Sequence, residues 1–406
     1  LVAEIMGEAP RLADHLSRNP AQLDYVLEPQ FYGAIPDAAG LAKDLDTALT
    51  AATSFEAVLD VSRRWGNDQR FRIGVQALRG QISPEAAAAH FSDLADVVLG
   101  GLMPHVEKDF VRQFGAIPGG QFGILAYGKL GSRELTPTSD LDLVMIYDAP
   151  ADAVSQGGPR ALSASAYYMR LVQRVTSALT LLTREGTLYN VDMRLRPDGD
   201  KGPLATSLEA FTKYHRESAW TWEHLALTRA RTVFGPADLT GRLQNVIDEV
   251  LQRPRDPGVL RREVGDMRAR MRKEHPGQGA FELKHRPGGL IDVEFIIQFH
   301  TLRTATLASP GRNGNLATIA GLVQRGELSA QAGDLLSRAL LLWLRLQVML
   351  RLTLAEESPT DLPLGLQGKL ARATGVAGFR ALQATIADTS AAISRLFHDT
   401  FGERKE

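Results

Sequence analysis

The chain has no cysteine among its 406 residues. Disulfides, thiolate metal sites and thiol nucleophiles are therefore excluded. The absence fits a reducing compartment, and the cytoplasm is the expected location. Neither charge is in excess: 46 Lys and Arg stand against 47 Asp and Glu, a net −1. Nonspecific binders of nucleic acid or of membrane surfaces normally carry a basic surplus, so neither partner is expected. No apolar run approaches the roughly 20 residues that a membrane-spanning helix needs. There is no secretory leader pattern, and the sequence opens on Leu1, so it reads as a fragment of something longer.

What is present suits a folded enzyme. Apolar residues make up 44% of the chain, room for roughly two or three domains of about 100–200 residues. Residues 1–114 read as an N-terminal helical region. Stretches 41–61 and 85–101 repeat apolar residues every three or four positions, and Ser83-Pro84 looks like an N-cap followed by proline at the first helical position. Near residue 115 the texture changes. Gly115, Pro118, Gly119 and Gly120 break the helical pattern. Residues 122–127 and 141–147 are apolar runs of strand length, joined through the glycine-containing segment from Gly128 to Ser132. A helix is expected over 160–183 and a third strand over 187–195, ending in a turn at 197–202. This middle region, 115–235, is bounded by a return to helix from about 205. Residues 236–406 read as a C-terminal helical bundle with segments at 289–304, 333–356 and 378–401.

Two aspartates carry the chemistry. In an extended chain, residues two apart share a face, so Asp140 and Asp142 point the same way at the start of the second strand. The apolar residues around them, Leu141, Leu143 and Met145, imply a strand buried except at this acidic end. Neighbouring carboxylates repel one another, and a divalent cation relieves that cost. Mg²⁺ takes hard oxygen ligands, usually one or two carboxylates together with substrate phosphates. A lone Asp-x-Asp is common and is equally a solvated strand end. Two further features favour the chemical reading. Gly131 and Ser132 lie in a loop whose backbone and hydroxyl suit phosphate, with Lys129 either a phosphate contact or a solvated charge. In the third strand, alternation places Asp192, Arg194 and Arg196 on one face, a third acid beside two guanidinium groups. A salt-laced exposed strand is the plainer account of that face.

Taken together these motifs resemble the DNA polymerase β-type nucleotidyltransferase superfamily. More narrowly, the segments Gly128 to Leu135, Ser139 to Leu143, Val191 to Pro197 and Gly288 to Phe295 resemble glutamine synthetase adenylyltransferases. The resemblance covers most of residues 115–300. It implies an α+β fold, a polymerase β-like nucleotidyltransferase domain with a small mixed sheet flanked by helices. It also implies transfer of AMP from ATP to a tyrosine of glutamine synthetase, with Mg²⁺ held by Asp140, Asp142 and Asp192, and with Gly131, Ser132, Lys129, Arg194 and Arg196 around the phosphates. Asp192 would also accept the tyrosine proton. Enzymes of this family carry a second, related domain that removes AMP by phosphorolysis. The segments Ser218 to His224 and Leu227 to Arg231, with Asp292, are similar to the adenylylating half. The PII signalling protein is the implied regulator and glutamine an implied effector. The alternatives are the removing activity, a non-catalytic module that senses a regulator, and transfer to RNA or a small molecule. Trp220, Trp222 and His224 read as packing residues; Arg229 and Arg231 either face the nucleotide or, the plainer reading, form a solvated helix end. Asp292 and Glu294, about 200° apart around a helix, cannot both face one site; they read as helix-start and inter-domain contacts, with Glu294 approaching the active site from the helical region as the alternative.

Overall fold

The computed structural model describes residues 29–304 except 278 and 280, then 314–354 and 362–402, with positions 9, 12, 13, 16, 17 and 26 ahead of them. Among the described residues three long helices lead into the sheet. α1 (Ala38–Thr50) starts where the Asp37 carboxylate accepts the Gly40 N–H at 2.8 Å, and it buries Leu41, Leu45 and Leu49 on one stripe. The helical pattern expected to run unbroken over 41–61 stops after Thr50. Ser54 then caps a new helix, α2 (Phe55–Leu78). α3 (Pro84–Phe114) begins as expected, with Ser83 accepting from Ala86 and Pro84 in the first turn. It is the one helix among the described residues long and apolar enough to cross a membrane, but 61% of its most apolar window is buried inside the protein. It packs on α1 and α2 as a core helix.

A five-stranded mixed sheet follows: β1 (Gln121–Ala126), β2 (Leu141–Asp148), β3 (Val191–Asp192), β4 (Ala205–Ser207) and β5 (Arg231–Phe234). β1 lies antiparallel between β2 and β5. The other edge of β2 is shared by two short parallel strands. β3 pairs with its first residues, Leu141↔Val191 and Asp142↔Asp192, and β4 with its last, Met145↔Ala205 to Tyr147↔Ser207. Flanked on both edges, β2 buries Leu141 and Leu143 to Ile146 completely. The expectation of a strand sunk except at its acidic end therefore holds.

Two expectations here are corrected. The third strand does not run over 187–195. It is two residues long, because the chain turns at Met193, the Arg196 N–H returns to the Met193 carbonyl (3.2 Å), and Asp198 adopts φ +60°. The chain is also not purely helical beyond 205, since β4 and β5 lie there. Between them sit α6 (Leu208–Glu217) and α7 (Thr221–Leu227). The single-turn α4 (Gly128–Gly131) joins β1 to the β2 approach, and α5 (Ala164–Thr180) lies between β2 and β3 in the chain.

The remainder is helical: α8 (Ala237–Leu251), α9 (Pro257–Glu274), α10 (Leu290–Thr304), α11 (Gly314–Gln324), α12 (Ala330–Thr353), α13 (Leu364–Thr374) and α14 (Phe379–Phe401). α12 packs on α2 and α3, so the apolar core runs without a break from the first helices to the last. α10 is seated by two glycines. Gly288 has φ +71°, and a Cβ there would lie 1.9 Å from the Ser390 carbonyl oxygen of α14; at Gly289 a Cβ would lie 2.6 Å from that of Leu283. Gly288→Ala is accordingly expected to cost about 3 kcal/mol or more, through both the left-handed backbone and the clash. Urea unfolding checks this, and a loss below about 1 kcal/mol would contradict the close packing of α10 on α14.

Candidate active site

The parallel register of β2 and β3 sets the carboxylates. Asp142 and Asp192 are direct neighbours on adjacent strands, whose usual spacing is about 4.8 Å. Asp140 lies one residue ahead of β2 and is exposed, while Asp142 and Asp192 are half-buried. Burial raises the Asp142 pKa, and Asp192 and Asp140 raise it further against the opposing charges of Arg229 and Lys284. No donor among the described residues hydrogen-bonds its carboxylate. Asp192 is the opposite case. Arg194 clasps it with Nε at 2.9 and 3.1 Å, a terminal nitrogen at 2.5 Å and the backbone N–H at 2.9 Å, and this holds its pKa below the ordinary range.

The loop before β2 is built against Asp142. Gly128 has φ +54°, and a Cβ there would lie 2.0 Å from Asp142 Oδ2, so only glycine fits. The Tyr127 N–H donates to the Asp142 carbonyl at 2.8 Å. Gly131 is required for a different reason, since a Cβ there would lie 2.1 Å from the Arg229 carbonyl oxygen. The Ser132 hydroxyl is buried and donates to Glu134 Oε2 at 3.0 Å and to the Gly128 carbonyl at 3.2 Å. Lys129 Nζ donates to Gln347 Oε1 of α12 at 2.7 Å. Arg196 is buried, with its guanidinium on the Met193 carbonyl (2.8 Å) and the Gly202 carbonyl (3.2 Å). Asp192, Arg194 and Arg196 thus do not share a strand face, because the strand ends at Asp192.

Among the described residues no three acidic, histidine or cysteine side chains converge closely enough to cage a metal. The donor set nevertheless fits Mg²⁺, which binds through one or two carboxylates and completes its shell from substrate phosphates and water. Asp142 would be the favoured ligand, being half-buried, crowded by like charge and free of hydrogen-bond donors among the described residues.

Comparison with known proteins bears on this geometry. A family model described as "Glutamate-ammonia ligase adenylyltransferase" matches residues 1–246, and one described as "GlnD PII-uridylyltransferase" matches residues 261–401. The chain belongs to the glutamate-ammonia ligase adenylyltransferase family. It is 41% identical over 98% of its length to a Mesorhizobium japonicum protein named "Bifunctional glutamine synthetase adenylyltransferase/adenylyl-removing enzyme", covering 40% of that protein. A protein of the same name from Rhodopseudomonas palustris (strain TIE-1) is 39% identical over 99% of the chain and 41% of the relative. One from Brucella suis is 47% identical over 74% of the chain and 31% of the relative. The chain spans about two fifths of the length of the first two of these.

In this family member the site is closed by Arg229, Arg231 and Glu294 together with three residues the sequence pattern did not single out, Asp96, Glu134 and Asn315. Arg229 and Arg231 are not a solvated helix end. Arg229 pairs with Glu294 of α10 at 2.6 Å, both half-buried, and Arg231 bridges Asp96 of α3 and the Leu130 carbonyl, each at 2.9 Å. Glu134 accepts from the Asn315 side chain of α11 at 2.7 Å. The opposed placement of Asp292 and Glu294 holds. Asp292 turns inward to Arg268 (2.5 Å), Arg272 (3.2 Å) and the Gly288 N–H (2.6 Å), while Glu294 faces the site. Trp220 does not pack; it is 71% exposed at the N-cap of α7, and Trp222 is half-buried. His224 is structural, with Nε2 against the His215 carbonyl at 3.1 Å and its pKa pushed down to about 4, chiefly by burial.

Burial, with Arg351 and Lys284 as like charges, pulls the Lys129 pKa down to about 7 from an ordinary 10.5. A lysine whose folded pKa lies below its unfolded value favours the folded state as its proton leaves. The fold should therefore gain stability as pH rises from about 7 toward 10.5. Lys129→Met is expected to flatten that rise, as read from urea midpoints at pH 7 and pH 9. An identical pH dependence in the variant would show that Lys129 is fully solvated.

Proposed function

We propose that this domain transfers AMP from ATP to a tyrosine of glutamine synthetase and releases pyrophosphate. The observation that carries the reading is the Asp142–Asp192 pair, side by side at the mouth of β2, with Asp140 just ahead and Gly128 pressed on the Asp142 carboxylate. Asp140 and Asp142, joined by Asp192, would hold Mg²⁺. When bound, it would neutralise the triphosphate and stabilise both the attacking and the leaving oxygen. The protein's own part is positional. Gly128 leaves room beside Asp142, and the loop to Ser132 is fixed by its internal hydrogen bonds, so an α-phosphorus can be presented at the strand mouth. A tyrosine phenol, with an ordinary pKa near 10, arrives protonated. Asp192, once released by the exposed Arg194, accepts that proton as the phenolic oxygen bonds to phosphorus and the bond to pyrophosphate breaks. Arg194 is then free to meet the leaving phosphates.

The removing reaction would use the same carboxylates in a phosphorolytic direction. Transfer is favoured by the likeness of Ser218 to His224 and Leu227 to Arg231 to the adenylylating half. The helices over 261–401, which match a PII-uridylyltransferase family model, are the natural seat for regulation by the PII protein or by glutamine. ATP and glutamine synthetase as substrates fit a cytoplasmic protein.

Incubation of the purified chain with glutamine synthetase, ATP and Mg²⁺ should yield a tyrosine bearing AMP, detected by mass spectrometry. Release of ADP from AMP-modified glutamine synthetase and phosphate, without forward transfer, would assign the removing activity instead. Asp140→Asn and Asp142→Asn should each lower transfer by about a thousandfold, a loss typical of charge stabilisation in phosphoryl transfer. Mg²⁺ should raise the melting temperature of the wild type and leave that of Asp142→Asn unmoved. The variant should melt no lower than the metal-free wild type, because Asp142 accepts no hydrogen bond whose loss would weaken the fold.

A further inference from the structure

The cations around the acid pair are nearly all engaged. Arg194 is clasped to Asp192, Arg196 is spent on the Met193 and Gly202 carbonyls, Arg229 is paired with Glu294, and Lys129 is bonded to Gln347. Lys284 differs. It lies on the segment between α9 and α10, its side chain is exposed, and its ammonium makes no salt bridge among the described residues. Its charge nevertheless lies within electrostatic reach of both Asp142 and Lys129.

The backbone that carries Lys284 is fixed relative to the loop. The Ile291 N–H donates to the Lys284 carbonyl at 3.2 Å, and the Leu290 N–H to the Leu283 carbonyl at 2.9 Å, so residues 283–284 lie along the first turn of α10. The Lys284 N–H is taken by Glu282 Oε1 at 2.8 Å. Gly289 permits the close approach of the Leu283 carbonyl. From the same first turns of α10, Glu294 holds Arg229, whose carbonyl rests on Gly131. A continuous set of contacts thus ties Lys284 to the loop at the mouth of β2, although 142 positions separate it from Asp142 in the sequence (284 − 142).

We propose that Lys284 is a substrate-contacting residue, supplied by the helical region, whose ammonium meets the terminal phosphates of a nucleoside triphosphate held at Asp142. The proposal rests on the nucleotidyl-transfer reading above. A triphosphate carries more negative charge than one divalent cation cancels; Arg194 can be released to it at small cost, but Arg196, Arg229 and Lys129 cannot supply the rest without breaking buried or half-buried contacts. Lys284 can do so without breaking any ion pair, as a flexible point charge.

The test is calorimetric binding of MgATP and of AMP to the full chain and to Lys284→Ala and Lys284→Arg. Lys284→Ala should weaken MgATP binding by about tenfold or more, the scale of one charge-assisted contact, and leave AMP affinity and the melting temperature unchanged. Lys284→Arg should restore most of the loss. MgATP affinity within twofold of wild type in Lys284→Ala, or an equal loss of AMP binding, would overturn the assignment. Failure of the wild-type chain to bind MgATP at all would overturn the transfer reading and this proposal with it.

Discussion

The Asp142 carboxylate is the point on which the site depends. It is half-buried, flanked by a second acid across a parallel strand pair, and pressed by the bare Cα of Gly128, yet no donor among the described residues satisfies it. Such a group weakens a fold when ionised, since burial and like charge both oppose the negative form. Its surroundings relieve this only in part, through the charges of Arg229 and Lys284. The Gly128 loop closes on one side, Asp192 occupies the next strand, and the nearest guanidinium groups are committed elsewhere. A divalent cation shared with a substrate phosphate would relieve that cost, which is what the proposed site requires of it.

The helical bundle is part of the same construction. Each section of the loop from Lys129 to Glu134 has a partner on a different C-terminal helix: Lys129 on α12 through Gln347, Glu134 on α11 through Asn315, and Gly131 on α10 through Arg229 and Glu294. Burial raises the Glu134 pKa, with Glu294 adding to it and Arg229, Ser132 and Asn315 opposing. A displacement of α10 relative to the sheet would therefore disturb the loop and the charge balance at Asp142 together. The sheet carries the carboxylates, and the helices hold the loop that faces them.

How much of this was legible depends on the range of the interaction. The run Leu141 to Ile146 announced a buried strand, and two-residue alternation placed its acids, because both are local properties of an extended chain. The same rule misled at 187–195. There the alternation continues in sequence, but Arg196 draws the chain back onto Met193 and the strand stops at Asp192. β4 and β5, three and four residues long, are too short for any periodicity to register. Arg229 and Arg231 looked solvated because their partners, Glu294 and Asp96, lie 65 and 135 residues away. Glu294 was half legible. The 200° between it and Asp292 required opposite faces, though not which face would meet the site.

The positive charges divide into two kinds, and the division suits a transfer reaction. The Arg229–Glu294 pair is largely removed from water, where breaking one partner of an ion pair typically costs about 3–5 kcal/mol, so it stays in place throughout. Arg194 is 74% exposed, and a solvated pair of that kind contributes only about 0–1 kcal/mol. Under the proposed transfer reaction Arg194 would therefore release Asp192 at small cost to a stronger cation, and the guanidinium would be returned to solvent. A buried clasp on Asp192 would have locked the carboxylate away from metal and proton alike. An absent clasp would have left two acids repelling each other across β2 and β3 with nothing to hold them in register. The exposed arginine satisfies Asp192 in the resting protein and, under the proposed reaction, would withdraw from it at low cost.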